Sequence, residues 1–287
     1  MTAAGSRPRP PETSWGYSAP GGEVLGRVSA CIDDLPAQRP VSARVIAAAG
    51  DEETDAASLG ATVSLDPALT ARLLTLANSA WYGLSGRVSR PAFAVSVVGF
   101  STVRSLAVGA MVELDDPVLD VLGGFWERSV LTAVAAGHVA EQVGARANDA
   151  FSLGLLARLG QVLLLRCDPE HYSALLLEAR DRGEVLTAET LHYGADHLRV
   201  GAEALAAWAF PAEFPEALHA VERHGWASTL TVAVRLGLEI AERIGDPERV
   251  PVPLEALSSG RLGEPDLEIL RPGIVATAAD LSRLLAG

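Results

Sequence analysis

Residues 66–112 read DPALTARLLTLANSAWYGLSGRVSRPAFAVSVVGFSTVRSLAVGAMV, and local signals in this stretch decide the fold. Asp66 is a favourable helix N-cap followed by a proline that suits the first helical turn, which predicts a helix ending at the Trp-Tyr-Gly turn. Pro91 predicts the start of a second helix, Gly99 its end, and Ser101 the cap of a third. The stretch therefore predicts three short helices in close succession.

Apolar residues recur at helical spacing on both sides of this stretch, and no segment shows a convincing strand pattern. The sequence therefore predicts an all-α fold, in which an N-terminal bundle packs on a second helical subdomain. The predicted segments are a disordered tail, 1–22; the N-terminal helical bundle, 23–112; the second helical subdomain, 113–245; and a C-terminal extension with a final helix, 246–287.

Composition limits the kind of partner. The 287 residues carry a formal net charge of −13, and all 23 basic residues are arginine. Such an acidic balance argues against binding nucleic acid or anionic membrane. Residues 56–82 also fit a helix-turn-helix pattern. A DNA-binding version needs several basic and amide side chains on its second helix, and only Arg72 and Asn78 are of this kind there. The apolar tract from Pro91 to Val112 is interrupted by Gly99, which favours two buried helices over a membrane span.

The cysteines and the N-terminus bear on cellular location. Cys31 and Cys167 lie far apart and form no known motif, so we expect neither a disulfide framework nor a zinc site. The N-terminus is Pro-, Arg- and Ser-rich and lacks the apolar core of a signal peptide. Both features predict a cytoplasmic protein.

Two groups of motifs carry a family resemblance. The first is LTARLLTLANSAWYGLSGRVS with AVSVVGFSTVRSLAVG, and the second is AFSLGLLARLGQVLL with ETLHYGADHLRVGAEALAAWAFPAEFPEALHAVERHG. Together they resemble the HDOD family, the HD-related output domains of bacterial signalling proteins. The resemblance implies that residues 113–245 are an HD-like subdomain. It also implies a bacterial regulatory role coupled to sensor kinases or response regulators.

The resemblance also shows where the HD metal ligands would lie. HD-superfamily phosphohydrolases bind metals through a helical His, an adjacent His-Asp pair and a later Asp. The matched positions here hold Arg128, Ala157-Arg158 and Leu238. Alanine and leucine have no donor atoms, and a protonated arginine cannot bind a cation. The sequence therefore predicts a degenerate HD site without metal, cofactor or catalytic residues.

The basic residues of the degenerate site allow two interpretations. His197 and His224 are expected to be packing or hydrogen-bonding residues rather than metal ligands. Arg128 and Arg158 could face a residual pocket that binds a phosphate, a carboxylate or a nucleotide second messenger, with His197 and His224 as further possible contacts. Simple salt bridges, for example with Glu127, are the plainer explanation.

Trp81 and Tyr82 lie at a predicted helix end beside a glycine turn. They are expected to anchor helices in the core, although an exposed aromatic pair at such a turn could bind a partner.

We therefore expect a non-enzymatic signalling module that binds another bacterial signalling protein, with no nucleic-acid or membrane partner. Two alternatives stay open: a nucleotide receptor without turnover, and a metal-dependent phosphohydrolase with unusual ligands.

Overall fold

A computed structural model describes residues 22–84, 86–113, 119, 122, 124–179, 182–223 and 227–285. Every regular element among them is an α-helix, and no β-strand occurs in these ranges, which confirms the all-α prediction. The predicted disordered tail lies outside the described residues except for Gly22, the first residue of α1.

Within the segment predicted to be the N-terminal bundle, the described residues form six helices. They are α1 (Gly22–Gln38), α2 (Pro40–Ala49), α3 (Ala56–Val63), α4 (Pro67–Ala77), α5 (Pro91–Val98) and α6 (Phe100–Met111). Asp66 caps α4 as predicted, since its carboxylate accepts hydrogen bonds from the backbone N–H groups of Ala68 and Leu69. Within the bundle, α2 lies on α6, and α5 lies between α3 and α4.

Two predicted boundaries in the bundle shift. Helix α4 ends at Ala77 rather than at the Trp-Tyr-Gly turn, because the Asn78 side chain forms hydrogen bonds in both directions with the backbone of Val88. Ser101 lies inside α6 rather than capping it. Gly99 stands at the cap with φ +84°, a conformation that favours glycine and turns α6 sharply away from α5.

Within the segment predicted to be the second subdomain, the described residues form eight helices. They are α7 (Phe125–Val143), α8 (Ala147–Leu155), α9 (Leu159–Cys167), α10 (Pro169–Glu178), α11 (Arg182–Tyr193), α12 (His197–Ala207), α13 (Glu213–His219) and α14 (Thr229–Gly245). Helix α7 is central and contacts both α8 and α14, while α12 packs on α9 and α13. The C-terminal extension adds α15 (Leu254–Ser258) and α16 (Glu264–Leu285). Helix α16 lies against α7 and α4, so the extension docks on both halves of the protein.

Two glycines explain how closely α9 and α12 approach. A Cβ atom at Gly160 would lie 1.8 Å from the carbonyl oxygen of His197 and 2.9 Å from the backbone nitrogen of Gly201. Only hydrogen fits at this contact. One continuous cluster of buried apolar side chains extends from Val28 to Leu281, so the two halves share a core.

A disulfide joins Cys31 in α1 to Cys167 in α9, with 5.9 Å between the Cα atoms. The sequence-based expectation that these cysteines stay unpaired was therefore wrong. The two residues are 136 positions apart, and only the packing of α1 on α9 brings them together. The pairing removes the cysteine argument for a reducing compartment, and the cytoplasmic location stays a prediction.

Two apolar stretches meet the length and composition of a membrane span. One is 147–167, and 83% of its most apolar 18-residue segment is buried inside the protein. Such burial is typical of the core helix of a soluble protein. The other is the pair α5 and α6, which is bent by 109° at the break between the helices. Both stretches supply the core of the described fold.

Candidate functional site

The positions that correspond to HD metal ligands come from three elements. Arg128 lies in the first turn of α7, Ala157 and Arg158 lie in the turn between α8 and α9, and Leu238 lies in α14. Ala157 and Leu238 are both buried among apolar side chains. Since α7 contacts both α8 and α14, the fold brings the four positions to one region.

An ion pair occupies this region. The Arg158 guanidinium donates a hydrogen bond to Glu242 Oε1, and the two side chains are 7% and 20% exposed. Glu242 lies one helical turn after Leu238, on the same side of α14. Burial alone would raise the pKa of Glu242, but the charges of Arg158, Arg182 and Arg128 outweigh burial and lower it. The carboxylate is therefore ionised at neutral pH and neutralises the arginine.

Arg128 has a structural partner as well. Its guanidinium donates to the backbone carbonyl of Leu122, while its Nε is buried without a hydrogen-bond partner. Burial lowers the pKa of Arg128, and the charge of Arg158 lowers it further, against the raising effect of Glu242 and Glu127. Arg158 therefore pairs with a carboxylate, whereas the hydrogen-bond acceptor of Arg128 is a backbone carbonyl.

These residues do not fit a metal ion. None of the four matched positions offers an imidazole or carboxylate, and guanidiniums stand where a cation would bind. Among the residues that the structure describes, no group of three His, Cys, Asp or Glu side chains is arranged to hold a metal. His224, the second histidine of the sequence-based hypothesis, lies outside the described residues.

His197 belongs to a separate buried network. Its Nδ1 lies 2.7 Å from Glu189 Oε2, and its backbone N–H donates to the same oxygen at 2.8 Å. The Tyr172 hydroxyl donates to Glu189 Oε1 at 2.6 Å. Because Glu189 and His197 are almost completely buried, this network fastens α10, α11 and α12 together. It leaves His197 with a hydrogen-bonding role.

Trp81 and Tyr82 lie between the two halves of the protein. The Trp81 ring stacks on Phe151 at a centroid distance of 5.7 Å and lies 4.9 Å from the His138 ring. A Cβ atom at Gly137 would touch the same indole at 2.8 Å. Burial raises the pKa of Tyr82 to about 12. The pair thus anchors helices, and both rings are half-buried rather than displayed to a partner.

A groove between α10 and α11 is a surface that sequence reasoning missed. It measures about 520 Å³ and is lined mainly by small or apolar residues with acidic side chains at its rim. Leu191 in its wall is 81% exposed, so a large apolar side chain of the groove is open to solvent. Glu178 and Glu184 contribute the acidic rim.

The fold defines a class: all-helical proteins of the HD-like fold. The chain belongs to the HDOD domain family, which matches residues 35–224. An uncharacterized protein of Treponema pallidum (strain Nichols) is 26% identical over 187 residues, 63% of this chain and 36% of the relative. The chain thus spans about a third of the length of that curated relative.

Solved structures show the same fold. A candidate phosphohydrolase from Shewanella amazonensis SB2B superposes with a TM-score of 0.67 at 22% identity, covering 90% of this chain and 98% of the other. A candidate signal transduction protein from Marinobacter aquaeolei VT8 gives 0.65 at 20% identity, with coverages of 96% and 68%. An HDOD domain protein of unknown function from Geobacter sulfurreducens gives 0.60 at 19% identity, with coverages of 91% and 99%. At these identities the likeness concerns the fold alone.

Proposed function

We propose that this chain is a non-catalytic regulatory module of bacterial signalling that acts by binding another protein. The observation that carries the proposal is the ion pair of Arg158 and Glu242 at the position of the HD metal centre. A hydrolytic metal would need carboxylate or imidazole ligands and a bound water there. A buried guanidinium in that place repels a cation, so the reaction centre of the phosphohydrolases is lost.

Metal content and phosphodiesterase activity test the first half of the proposal. The full chain is purified after growth with iron and manganese and analysed by mass spectrometry, then assayed on bis(p-nitrophenyl) phosphate with manganese added. We expect substoichiometric metal and no turnover above the buffer rate. The proposal would be overturned by two results together: stoichiometric metal, and turnover that Arg158→Ala abolishes or alters.

The α10–α11 groove is the surface that best supports protein binding. Leu175 and Leu191 give it apolar walls, while Glu178 makes its rim acidic. An apolar helix or loop of the partner fits such a groove, and basic residues flanking that segment would complement the rim. We therefore propose a partner segment of this chemistry, supplied by a sensor kinase or response regulator.

A photo-crosslinking amino acid at position 191 tests this surface in cells of the producing bacterium. We expect a discrete adduct that disappears when Ala188→Asp places a charge in the groove. The matched control is Leu65→Asp, a change at an exposed leucine on the other half of the protein, which should leave the adduct unchanged. An adduct that survives Ala188→Asp, or that forms equally from a crosslinker at position 65, would show that the groove is not the docking site.

A further inference from the structure

A second cavity, of about 640 Å³, lies apart from the α10–α11 groove. Its walls come from the start of α11, the connection between α13 and α14, one face of α14, and the C-terminal extension around α15. The volume is within the range of small-molecule binding sites in proteins. The cavity therefore has room for a ligand about as large as a nucleotide.

The charge of this cavity contrasts with the charge of the chain. Although the protein has a net charge of −13, the described residues that line the cavity include five arginines and two glutamates. The arginines are Arg182, Arg223, Arg235, Arg249 and Arg261. The cavity thus concentrates positive charge on an acidic molecule, as expected for a site that attracts an anion.

Both glutamates of the cavity are already neutralised. Glu222 pairs with Arg182 at 2.8 Å, and Glu239 pairs with Arg249 at 2.9 Å. Within the described part of the chain, neither Arg223 nor Arg261 forms an ion pair with a carboxylate. The excess positive charge is therefore available to an anion from solution.

Two of the guanidiniums are held in place by the backbone. Arg235 donates from Nε to the carbonyl of Val221 at 2.6 Å and from Nη2 to the carbonyl of Ala220 at 2.9 Å. Arg261 donates from Nη1 to the carbonyl of Val143 at the end of α7, at 2.9 Å. A guanidinium has five N–H donors, so each retains further donors for a ligand. Fixed arginines lose less entropy when they bind an anion.

The remainder of the lining is apolar. Leu186, Val232, Val252 and Leu257 supply this part of the wall. A ligand that combines phosphate groups with a flat apolar body would satisfy both parts of the cavity, since arginine binds phosphate oxygens through paired hydrogen bonds.

We infer that this cavity binds a small molecule with two or more phosphate groups on an aromatic body, the class that includes nucleoside triphosphates and cyclic dinucleotides. The inference is independent of the protein-binding proposal and concerns different residues from Arg128 and Arg158. Arg249 and Arg261 lie beyond the family match at 35–224, so the C-terminal extension completes the site. A bound ligand would fasten the extension to α11 and α14.

Calorimetric titration and thermal denaturation of the full chain with ATP, GTP, cyclic di-GMP and adenosine test the inference. We expect saturable binding and a raised Tm with at least one phosphorylated compound, weakening as salt rises, and no binding of adenosine. Arg223 is exposed, so Arg223→Glu should fold normally and weaken binding about tenfold or more. Arg223→Lys should retain most of the affinity.

Arg271→Glu is the matched control, because Arg271 is an exposed arginine of α16 outside the cavity. It makes the same change in net charge and should leave binding unchanged. Failure of all three phosphorylated compounds to bind would overturn the inference. So would equal affinities of wild type and Arg223→Glu, or equal losses from Arg223→Glu and Arg271→Glu.

Discussion

The ion pair at the degenerate metal centre gives a quantitative prediction. Arg158→Met removes the guanidinium and leaves the Glu242 carboxylate without its hydrogen-bonded partner in a site only 20% exposed. Glu242→Leu does the reverse and leaves the charges of Arg158, Arg128 and Arg182 close together without the carboxylate that opposes them. Each single change should be costly, whereas the double change replaces the pair by apolar groups of similar size.

The magnitude follows from the burial of the pair. Removing one partner of a buried pair costs about 3–5 kcal/mol, while replacing both is often neutral. Since Arg128 and Arg182 still neutralise part of the Glu242 charge, we expect the low end, about 3 kcal/mol for Arg158→Met. The double variant should lie within about 1 kcal/mol of wild type, which makes the coupling energy several kcal/mol.

Urea unfolding followed by circular dichroism measures all four free energies of unfolding. The matched control is Arg283→Met, because the ion pair of Arg283 and Asp280 is exposed, at 73% and 40%. Its loss should cost at most about 1 kcal/mol. If Arg158→Met costs no more than this control, the pair does not stabilise the site, and our explanation of the lost metal centre is wrong.

The pH dependence of the same measurements has a definite sign. In the folded protein, the pKa of Glu242 lies below its ordinary value of 4.5. The contribution of the ionised Glu242 carboxylate to stability is therefore fully present above pH 4.5. That contribution falls as the pH drops through the lowered folded pKa. The difference in unfolding free energy between wild type and Glu242→Gln should therefore be largest at neutral pH and shrink in acid. If this difference in unfolding free energy grows in acid, the pKa of Glu242 is not lowered in the folded protein.

Three further predictions concern the fold, each read out as the free energy of unfolding in urea. Gly160→Ala should cost about 3 kcal/mol or more, because its Cβ would lie 1.8 Å from a backbone oxygen of α12, whereas Gly245→Ala, with open space around it, should be neutral. Equal effects would refute the close-contact explanation. Cys31→Ser should cost up to about 5 kcal/mol, since the disulfide closes a loop over 136 residues, and a reductant should weaken wild type but not the variant. Arg104→Ala should cost about 3 kcal/mol, because its buried guanidinium donates to two carbonyls after α12 and lies 4.3 Å from the Phe210 ring. A loss below 1 kcal/mol would show that this contact between the halves is dispensable.

Local signals in the sequence were sufficient for the helices. Asp66 caps the helix that it was expected to begin, because an N-cap depends only on residues two or three positions away. The replacement of the HD metal ligands stays a prediction, which rests on residue type at the positions matched through the family resemblance. A predicted helix boundary was wrong where a distant contact ends the helix. At Asn78 the side chain forms hydrogen bonds with the backbone of Val88, ten residues later.

The partners of the charged residues could not be read from the chain. Arg158 binds Glu242 across 84 positions, and sequence reasoning offered the neighbouring Glu127 instead. The arginines of the second cavity are likewise spread from position 182 to 261. No periodicity links residues so far apart.

The sequence by itself therefore determined that this chain is all-helical and resembles the HDOD family, and it led to the hypothesis that the HD metal ligands are replaced. Helical periodicity and capping are local, so they are present in the order of residues. Only the tertiary structure decided that Cys31 pairs with Cys167, that Glu242 neutralises Arg158 and that five arginines surround one cavity. These contacts depend on how α1, α9, α11 and α14 pack, and that packing follows from the shape of the whole core.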